Sequence, residues 1–467
     1  MGGIQFGTDG WRSIIADGFT FERVEQVAQL AAYRLAETFQ GEGIVVGYDR
    51  RFLSEEFALA AAKAIQKAGF HVLLSEGPAP TPAYSWTVVS KGMLGAIVIT
   101  ASHNPPTYSG LKIKGAFGGS VGSEFTQGIE ERYVEGGALS EKPGGTLAYF
   151  DPWPAYLEQI SKKVDLEAIE RADIAILMDV MHGVGSGSLR RLLKRPLMEL
   201  RSERDPLFGG VSPEPIPKNL APFFKALQEY TGPGTVVGAV LDGDADRVAA
   251  GDHAGNYLSC QVLIPLYIDH LVRRKGLTGA VVKTISGSDL MAQVAKARGL
   301  KCYETAIGFK YIAEIMLREP VLVGGEESGG VGFIDHMPER DGLLCVLYLL
   351  EMVALTGKDL TQLYQELQEE LDYHSVYDRI DLKLPNSDLK NKLVSELEKQ
   401  PFTEVDGLTV TEHLTTDGHR FRLAPGHWLL IRFSGTEPLL RLYCEGPNPE
   451  RVARTLAWAK DWALSFT

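Results

Sequence analysis

The sequence predicts an α/β protein of several domains, with largely parallel sheets covered by helices on both faces. Three observations carry this prediction. Apolar strands such as Met93–Ile99 and Val236–Leu241 run without polar alternation; helical patterns alternate with them; and the strands open into loops crowded with glycine and polar side chains. In sheets of this kind ligands bind beyond the strand ends, so the loops are where function is expected. At 467 residues the chain is too long for one core, and three or four domains are expected.

The elements follow in order. Thr20 precedes a helical pattern from Phe21 to Phe39 with Val24, Val27, Ala28, Ala31 and Leu35 on one face, and Ser54 is expected to cap the next helix, which ends near Gly69. Strand-to-loop exits are predicted at Ile99/Thr100, at Leu177-Met178-Asp179, at Leu241/Asp242 and at Val323/Gly324. The run Gly183 to Gly187 has the glycines of a nucleotide-binding turn but no other part of that fingerprint, so close backbone packing is its expected role. After Asp372 the pattern changes to short strands, a turn at Pro385 to Ser387, and a helix from Pro449 to Leu464 with Val452, Leu456, Ala459 and Ala463 on one side. This predicts a separate α+β domain.

Four loops carry chemistry. In Thr100-Ala101-Ser102-His103-Asn104-Pro105 a hydroxyl, an imidazole and a carboxamide arrive together at the end of an apolar strand, with Lys112 and Lys114 soon after. Ser102 is the candidate covalent phosphoryl carrier. Asp242-Gly243-Asp244-Ala245-Asp246-Arg247 places carboxylates at every second position, and a curled loop would converge them on one hard cation. Magnesium fits best, since it takes oxygen ligands and is often completed by phosphate. Gly324 to Gly330 offers Glu326 and Ser328 to sugar hydroxyls on a backbone that a ligand can approach. Near the end, Arg432 and Arg441 flank the hydroxyl-rich turn Ser434-Gly435-Thr436-Glu437-Pro438, a plausible phosphate clamp.

Together these segments resemble the α-D-phosphohexomutase family over nearly the whole chain. Supporting stretches are Phe6 to Arg12, Asp205 to Gly210 with Pro213-Glu214-Pro215, and Pro338 to Gly342. The resemblance implies three similar mixed or parallel α/β sandwich domains, at 1–147, 148–252 and 253–371, and a C-terminal α+β domain at 372–467, around a central cleft. It implies a phosphoserine at Ser102, which also contacts the magnesium held by Asp242, Asp244 and Asp246; sugar contacts at Glu326 and Ser328; and a site for the non-reacting phosphate at Arg432, Ser434, Gly435, Thr436 and Arg441. It places Arg12, Lys112, Arg247 and Lys283 in the cleft. General acid and base work needs a group near the transferring hydroxyl, and Lys112, Lys310 and His103 are the candidates, since a lysine amid other cations can have its pKa lowered; His103 is equally a candidate hydrogen-bonding support.

The implied activity is conversion of glucose 1-phosphate to glucose 6-phosphate through a phosphoserine enzyme, with glucose 1,6-bisphosphate as intermediate and activator. Alternatives are a phosphomannomutase, another phosphohexomutase, or a non-catalytic sugar-phosphate sensor. The segment Ala306-Ile307-Gly308-Phe309-Lys310-Tyr311 looks like the Gly-aromatic-Lys loop of the glucose-preferring branch, and Glu327 points the same way. Ser109 departs from the pattern, standing where many members have asparagine.

Composition narrows the partners. A net charge of −13 and a pI near 5.4 argue against nucleic acid. The four cysteines lack pairing or metal spacing, as expected of a reducing cytoplasm. The longest apolar segment, Leu343 to Leu355, contains Glu351 and is too short to span a bilayer, so no membrane partner is expected. Hexose phosphates are the expected ligands, and oligomeric state is left open. No phosphate-binding Gly-x-x-x-x-Gly-Lys loop is present, which argues against a kinase, and a serine in place of an aspartate nucleophile argues against a phosphatase.

Overall fold

A computed structural model describes residues 3–134, 136–424, 426–433 and 438–466. Four sheets follow one another along the chain. The first has seven strands in the order Phe6–Gly7, Gly10–Ile14, Tyr108–Gly115, Gly95–Ile99, Ile44–Tyr48, His71–Ser75 and Thr146–Phe150. Its last four are parallel neighbours, and the others join antiparallel. The second runs Tyr257–Leu258, Val248–Gly251, Thr235–Leu241, Ile174–Asp179 and Met198–Leu200; the third runs Cys302–Thr305, Ala280–Thr284, Val321–Gly325 and Val331–Phe333. Both are mixed as well. The fourth sheet, within 376–446, is antiparallel throughout.

One topological device recurs in all four. An inner strand turns back into an antiparallel neighbour, and the connecting loop is one of the four singled out by sequence. Gly95–Ile99 returns through Ser102 to Tyr108–Gly115, and Thr235–Leu241 returns through the aspartates to Val248–Gly251. Val321–Gly325 returns through Glu326 to Val331–Phe333, and His427–Phe433 is followed by its partner Leu439–Gly446. The reversal leaves the first three of these loops at the carboxyl end of a buried strand, the usual ligand edge of α/β sheets.

Packing fixes the first three loops relative to one another. One continuous core joins Val45 and Tyr84 of the first domain, Trp153 and Met178 of the second, and Leu263 and Leu347 of the third. At its centre lies the helix Gly342–Thr356, whose residues from Gly342 to Val353 are all buried. A Leu→Ala change there is expected to cost about 2–5 kcal/mol. Glu351 is tolerated inside this helix because His270 and Lys275 each reach it at 2.7 Å. No helix among the described residues is long and apolar enough to cross a membrane.

Local readings hold with specific exceptions. Thr20 caps the helix Phe21–Thr38, and the last helix spans Pro449–Leu464. Ser54 is not a cap: Leu53 takes the cap position at φ 59°, and the Ser54 hydroxyl donates to Asp49 at 2.7 Å. The first sheet takes its edge strand from Thr146–Phe150, so that layer runs past residue 147, and Tyr257–Leu258 extends the second past 252. Gly183 serves close packing, since a Cβ there would lie 2.7 Å from the Gly243 carbonyl oxygen.

Candidate active site

Three loops from three domains meet at the aspartate cluster. Gly243 makes the first junction: a Cβ at this position would lie 2.6 Å from the Ser102 carbonyl oxygen, so only glycine lets the two loops touch. The second junction is a hydrogen bond from the Val248 amide to the Gly329 carbonyl at 3.0 Å, which seats the Glu326 loop against the aspartate loop. Ser102 at φ 50° and Ala245 at φ 57° both adopt the left-handed conformation that side chains avoid. Such residues persist only where their surroundings hold them, at a cost of about 1–3 kcal/mol each.

The turn aims Ser102 at the aspartates. Its Oγ donates to Asp242 Oδ2 at 2.9 Å and lies 3.3 Å from His103 Nδ1. Carboxylate oxygens of Asp242, Asp244 and Asp246 all lie within 4.8 Å of one another, and all three residues are buried. Among the described residues, Asp244 Oδ1 and Asp246 Oδ1 have no hydrogen-bond partner. Buried carboxylate oxygens without donors, converging from one loop, are a donor set for a hard divalent cation. Magnesium fits these residues. Burial, then the charges of Asp244 and Asp246, push the Asp242 carboxyl well above the ordinary range.

Cations surround the cluster. Lys112 Nζ lies 2.8 Å from Asp244, 2.7 Å from Asp246 and 2.9 Å from Asp9. Burial works against its charge, but these carboxylates outweigh burial and push the ammonium's pKa up. For Asp244 burial likewise works upward, and Lys112 with the Thr81 hydroxyl holds the carboxyl below its usual range. At Lys112 three carboxylates outweigh the neighbouring Arg340, so its pKa goes up and not down as a lysine amid cations would. Arg340 completes the ring, 2.8 Å from Asp246, paired with Asp9, and 3.9 Å from Glu326. Arg12 donates to Asn104 Oδ1 at 2.6 Å, and Arg247 Nε lies 3.8 Å from Asp246 Oδ1. His103 is held neutral: burial, then Arg247, Arg12 and Lys112, push its pKa well down.

Glu326 is buried in a turn closed by its own amide on the Gly330 carbonyl at 2.9 Å, and burial pushes its carboxyl up to about 7. Ser328 sits half-buried in the same turn. Glu327 instead faces Ser286 and Arg379 of the fourth domain, each at 3.4 Å.

The other predicted residues form a second group. Arg432 and Arg441 stand opposite one another in the fourth sheet, and Arg432 Nε donates to Asp417 at 2.9 Å. Asp417 also accepts the Ile307 amide at 3.0 Å, tying this domain to the loop before Gly308, which has φ 135°. Gly308 opens the helix Phe309–Met316, and from its first turn Lys310 reaches Ser123 Oγ of the first domain at 2.6 Å. Ser434, Gly435 and Thr436 lie outside the described residues. Lys283 is not at the aspartate cluster: it binds Glu304 at 2.6 Å and Asp289 at 3.1 Å, and Arg420 of the fourth domain pairs with the same two carboxylates.

Asp9, Arg51 and Arg340 were given no role from sequence. Asp9 lies in Phe6 to Arg12 and Arg340 in Pro338 to Gly342, short charged stretches that were the available signal.

The family models for phosphoglucomutase/phosphomannomutase match in sequence order: alpha/beta/alpha domain I over residues 3–138, domain II over 154–255, domain III over 261–371, and the C-terminal domain over 386–458. The chain belongs to this family. A Thermococcus kodakarensis phosphoglucomutase/phosphomannomutase is 30% identical over 97% of this chain and 96% of its own length. A Carboxydothermus hydrogenoformans phosphoglucosamine mutase is 28% identical over 95% of each. Among solved structures, a Thermus thermophilus protein assigned as a phosphomannomutase superposes with a TM-score of 0.87 at 35% identity, covering 99% of both chains. Family membership brings phosphohexomutase activity and the architecture of three α/β/α domains followed by a C-terminal domain.

Proposed function

We propose that the chain converts α-D-glucose 1-phosphate to glucose 6-phosphate, with Ser102 as the phosphoryl carrier. The observation that carries this reading is Ser102 Oγ, 2.9 Å from Asp242 within a buried carboxylate cluster in which Asp244 Oδ1 and Asp246 Oδ1 lack donors among the described residues. Phosphorylated Ser102 bears about −1.5 to −2 charge, which three aspartates would repel without a cation. Magnesium held by Asp242, Asp244 and Asp246, and by Ser102 through its phosphate, supplies the neutralising charge when bound.

The chain's own groups do the rest. Phosphoryl transfer demands alignment and charge stabilisation more than covalent chemistry. Lys112, Arg340, Arg12 and Arg247 are fixed cations around the phosphoryl group, and Lys112 is held in place by three carboxylates. His103, neutral and beside the hydroxyl, is placed to take or return a proton. Glu326 and Ser328 orient the sugar, while Arg432 and Arg441, with Ser434, Gly435 and Thr436, hold the phosphate that does not react. Phosphoryl passes from Ser102 to the free sugar hydroxyl, giving glucose 1,6-bisphosphate. That bisphosphate turns end for end and returns its other phosphoryl group to Ser102.

Glucose is preferred on two features, the Gly308-Phe309-Lys310 loop and Glu327. Glu327 faces Arg379 and not the cleft's cations, so it acts on sugar choice by setting where the fourth domain sits. A panel of glucose, mannose, glucosamine and N-acetylglucosamine 1-phosphates, assayed with magnesium and the matching bisphosphates, tests this reading. Highest kcat/KM on glucose supports it. Equal turnover on mannose or glucosamine phosphate refutes the preference and leaves phosphohexomutase chemistry intact.

A further inference from the structure

Arg51 lies just after the strand Ile44–Tyr48, outside the ring of cations around the aspartates, and is fully buried. It reaches the Ser102 loop from behind. One terminal nitrogen donates to the carbonyls of Ser102 at 2.6 Å and Asn104 at 2.7 Å; the other donates to those of Pro105 at 3.0 Å and Tyr108 at 3.1 Å. Its Nε lies 3.3 Å from Asp49 Oδ2, and Asp49 Oδ1 accepts the Arg51 amide at 2.9 Å. Phe208 of the second domain covers the guanidinium at 4.9 Å, and Arg204 donates to the Arg51 carbonyl at 3.3 Å.

We propose that Arg51 is a positioning residue for phosphoryl transfer: its guanidinium holds Ser102 in the left-handed turn and keeps the loop carbonyls pointed away from the phosphate. The inference rests on Ser102 being the phosphoryl carrier. Two physical arguments support it. A left-handed serine reverts to ordinary backbone angles unless its neighbours are pinned, and Arg51 pins the carbonyl of Ser102 itself and three more within the loop and its return. Carbonyl oxygens are also the negative ends of peptide dipoles. With four of them committed to one cation, none swings toward a dianionic phosphoserine.

Only arginine satisfies this geometry. The fork is planar, its donors diverge toward separate acceptors, and its flat face stacks on Phe208, whereas a lysine is a point charge with three rotatable donors. Asp49 and Phe208 lock the fork, so the loop is held from two domains at once.

The test compares wild type with Arg51→Lys, and with Asp49→Asn, which leaves the arginine but loosens its anchor. Each protein is phosphorylated with glucose 1,6-bisphosphate, then mixed with glucose 1-phosphate. Phosphoryl delivered to sugar and phosphoryl lost to water are both counted per phosphorylated site. In Arg51→Lys the expected result is a transfer rate down about a hundredfold, the loss typical of a misplaced reacting group, with KM changed little. The share lost to water rises, and Asp49→Asn falls between. A purely structural role lowers the melting temperature or the yield of active sites but leaves the partition per site at the wild-type ratio, and that result overturns the inference. Wild type that carries phosphate at Ser102, with variants of unchanged partition, sinks the Arg51 inference alone. Wild type without phosphate at Ser102 sinks the carrier assignment and this inference with it.

Discussion

Arg432 and Arg441 face one another directly across the antiparallel strands His427–Phe433 and Leu439–Gly446. Like charges in that relation repel, and a sheet keeps them where an anion is to be bound. Asp417 restrains Arg432, and Arg441 stands opposite Asp381 on its other side. Arg441→Ala should therefore weaken the grip on the non-reacting phosphate. The expected outcome is a KM for hexose phosphate raised about tenfold or more, from loss of a charge-assisted hydrogen bond, with a smaller change in kcat. Steady-state kinetics decides it; an unchanged KM would remove Arg441 from the phosphate site.

The aspartate cluster predicts a metal requirement. Chelation should abolish turnover, and added magnesium should restore it. Magnesium should also raise the melting temperature, because a ligand at about a hundred times its Kd stabilises by about 2.7 kcal/mol. Asp244→Asn removes one charge and should shrink that shift while hexose phosphate still binds by calorimetry. A melting shift of full size in the variant would place the cation elsewhere.

Glu326 predicts a pH dependence. Burial raises its carboxyl from 4.5 to about 7, so between those values the folded protein holds a proton that the unfolded chain releases. That proton's contribution to stability is complete below pH 4.5 and is lost as pH rises through 7. Glu326→Gln, which cannot ionise, should be more stable than wild type at pH 8 by on the order of 1–3 kcal/mol. Ionised Glu326 is the better acceptor for sugar hydroxyls, so the wild-type KM should rise as pH falls below 7, and the variant's should stay flat. Denaturant titrations and KM measured across this window check both parts.

The functional loops were legible because each breaks a local pattern: an apolar strand such as Thr235–Leu241 ends abruptly in carboxylates, and no core explains that. Their convergence was carried by family resemblance, since Ser102 and Asp242 are 140 residues apart and meet only through tertiary packing. Arg51 was invisible for a related reason. Its partners are backbone carbonyls, which leave no trace in residue identity, and its segment reads as an ordinary polar link between strand and helix. The partners of Lys283 were not legible, because a strand-end lysine serves a cleft or an ion-pair network equally well and two of the groups in its network, Glu304 and Arg420, are distant in sequence.

The Ser54 cap failed on a finer point. Serine before a helix signals a cap through its acceptor oxygen, but Asp49 takes the Ser54 hydroxyl and the cap position falls to Leu53.

The most direct measurement is localisation of phosphate after incubating the purified protein with labelled glucose 1,6-bisphosphate and magnesium. Peptide mass mapping should find one phosphate on Ser102, discharged on adding glucose 1-phosphate, and none in Ser102→Ala. Label that settles on another residue, or a Ser102→Ala protein that still isomerises hexose phosphates at the wild-type rate, would contradict the assignment of this side chain as the carrier.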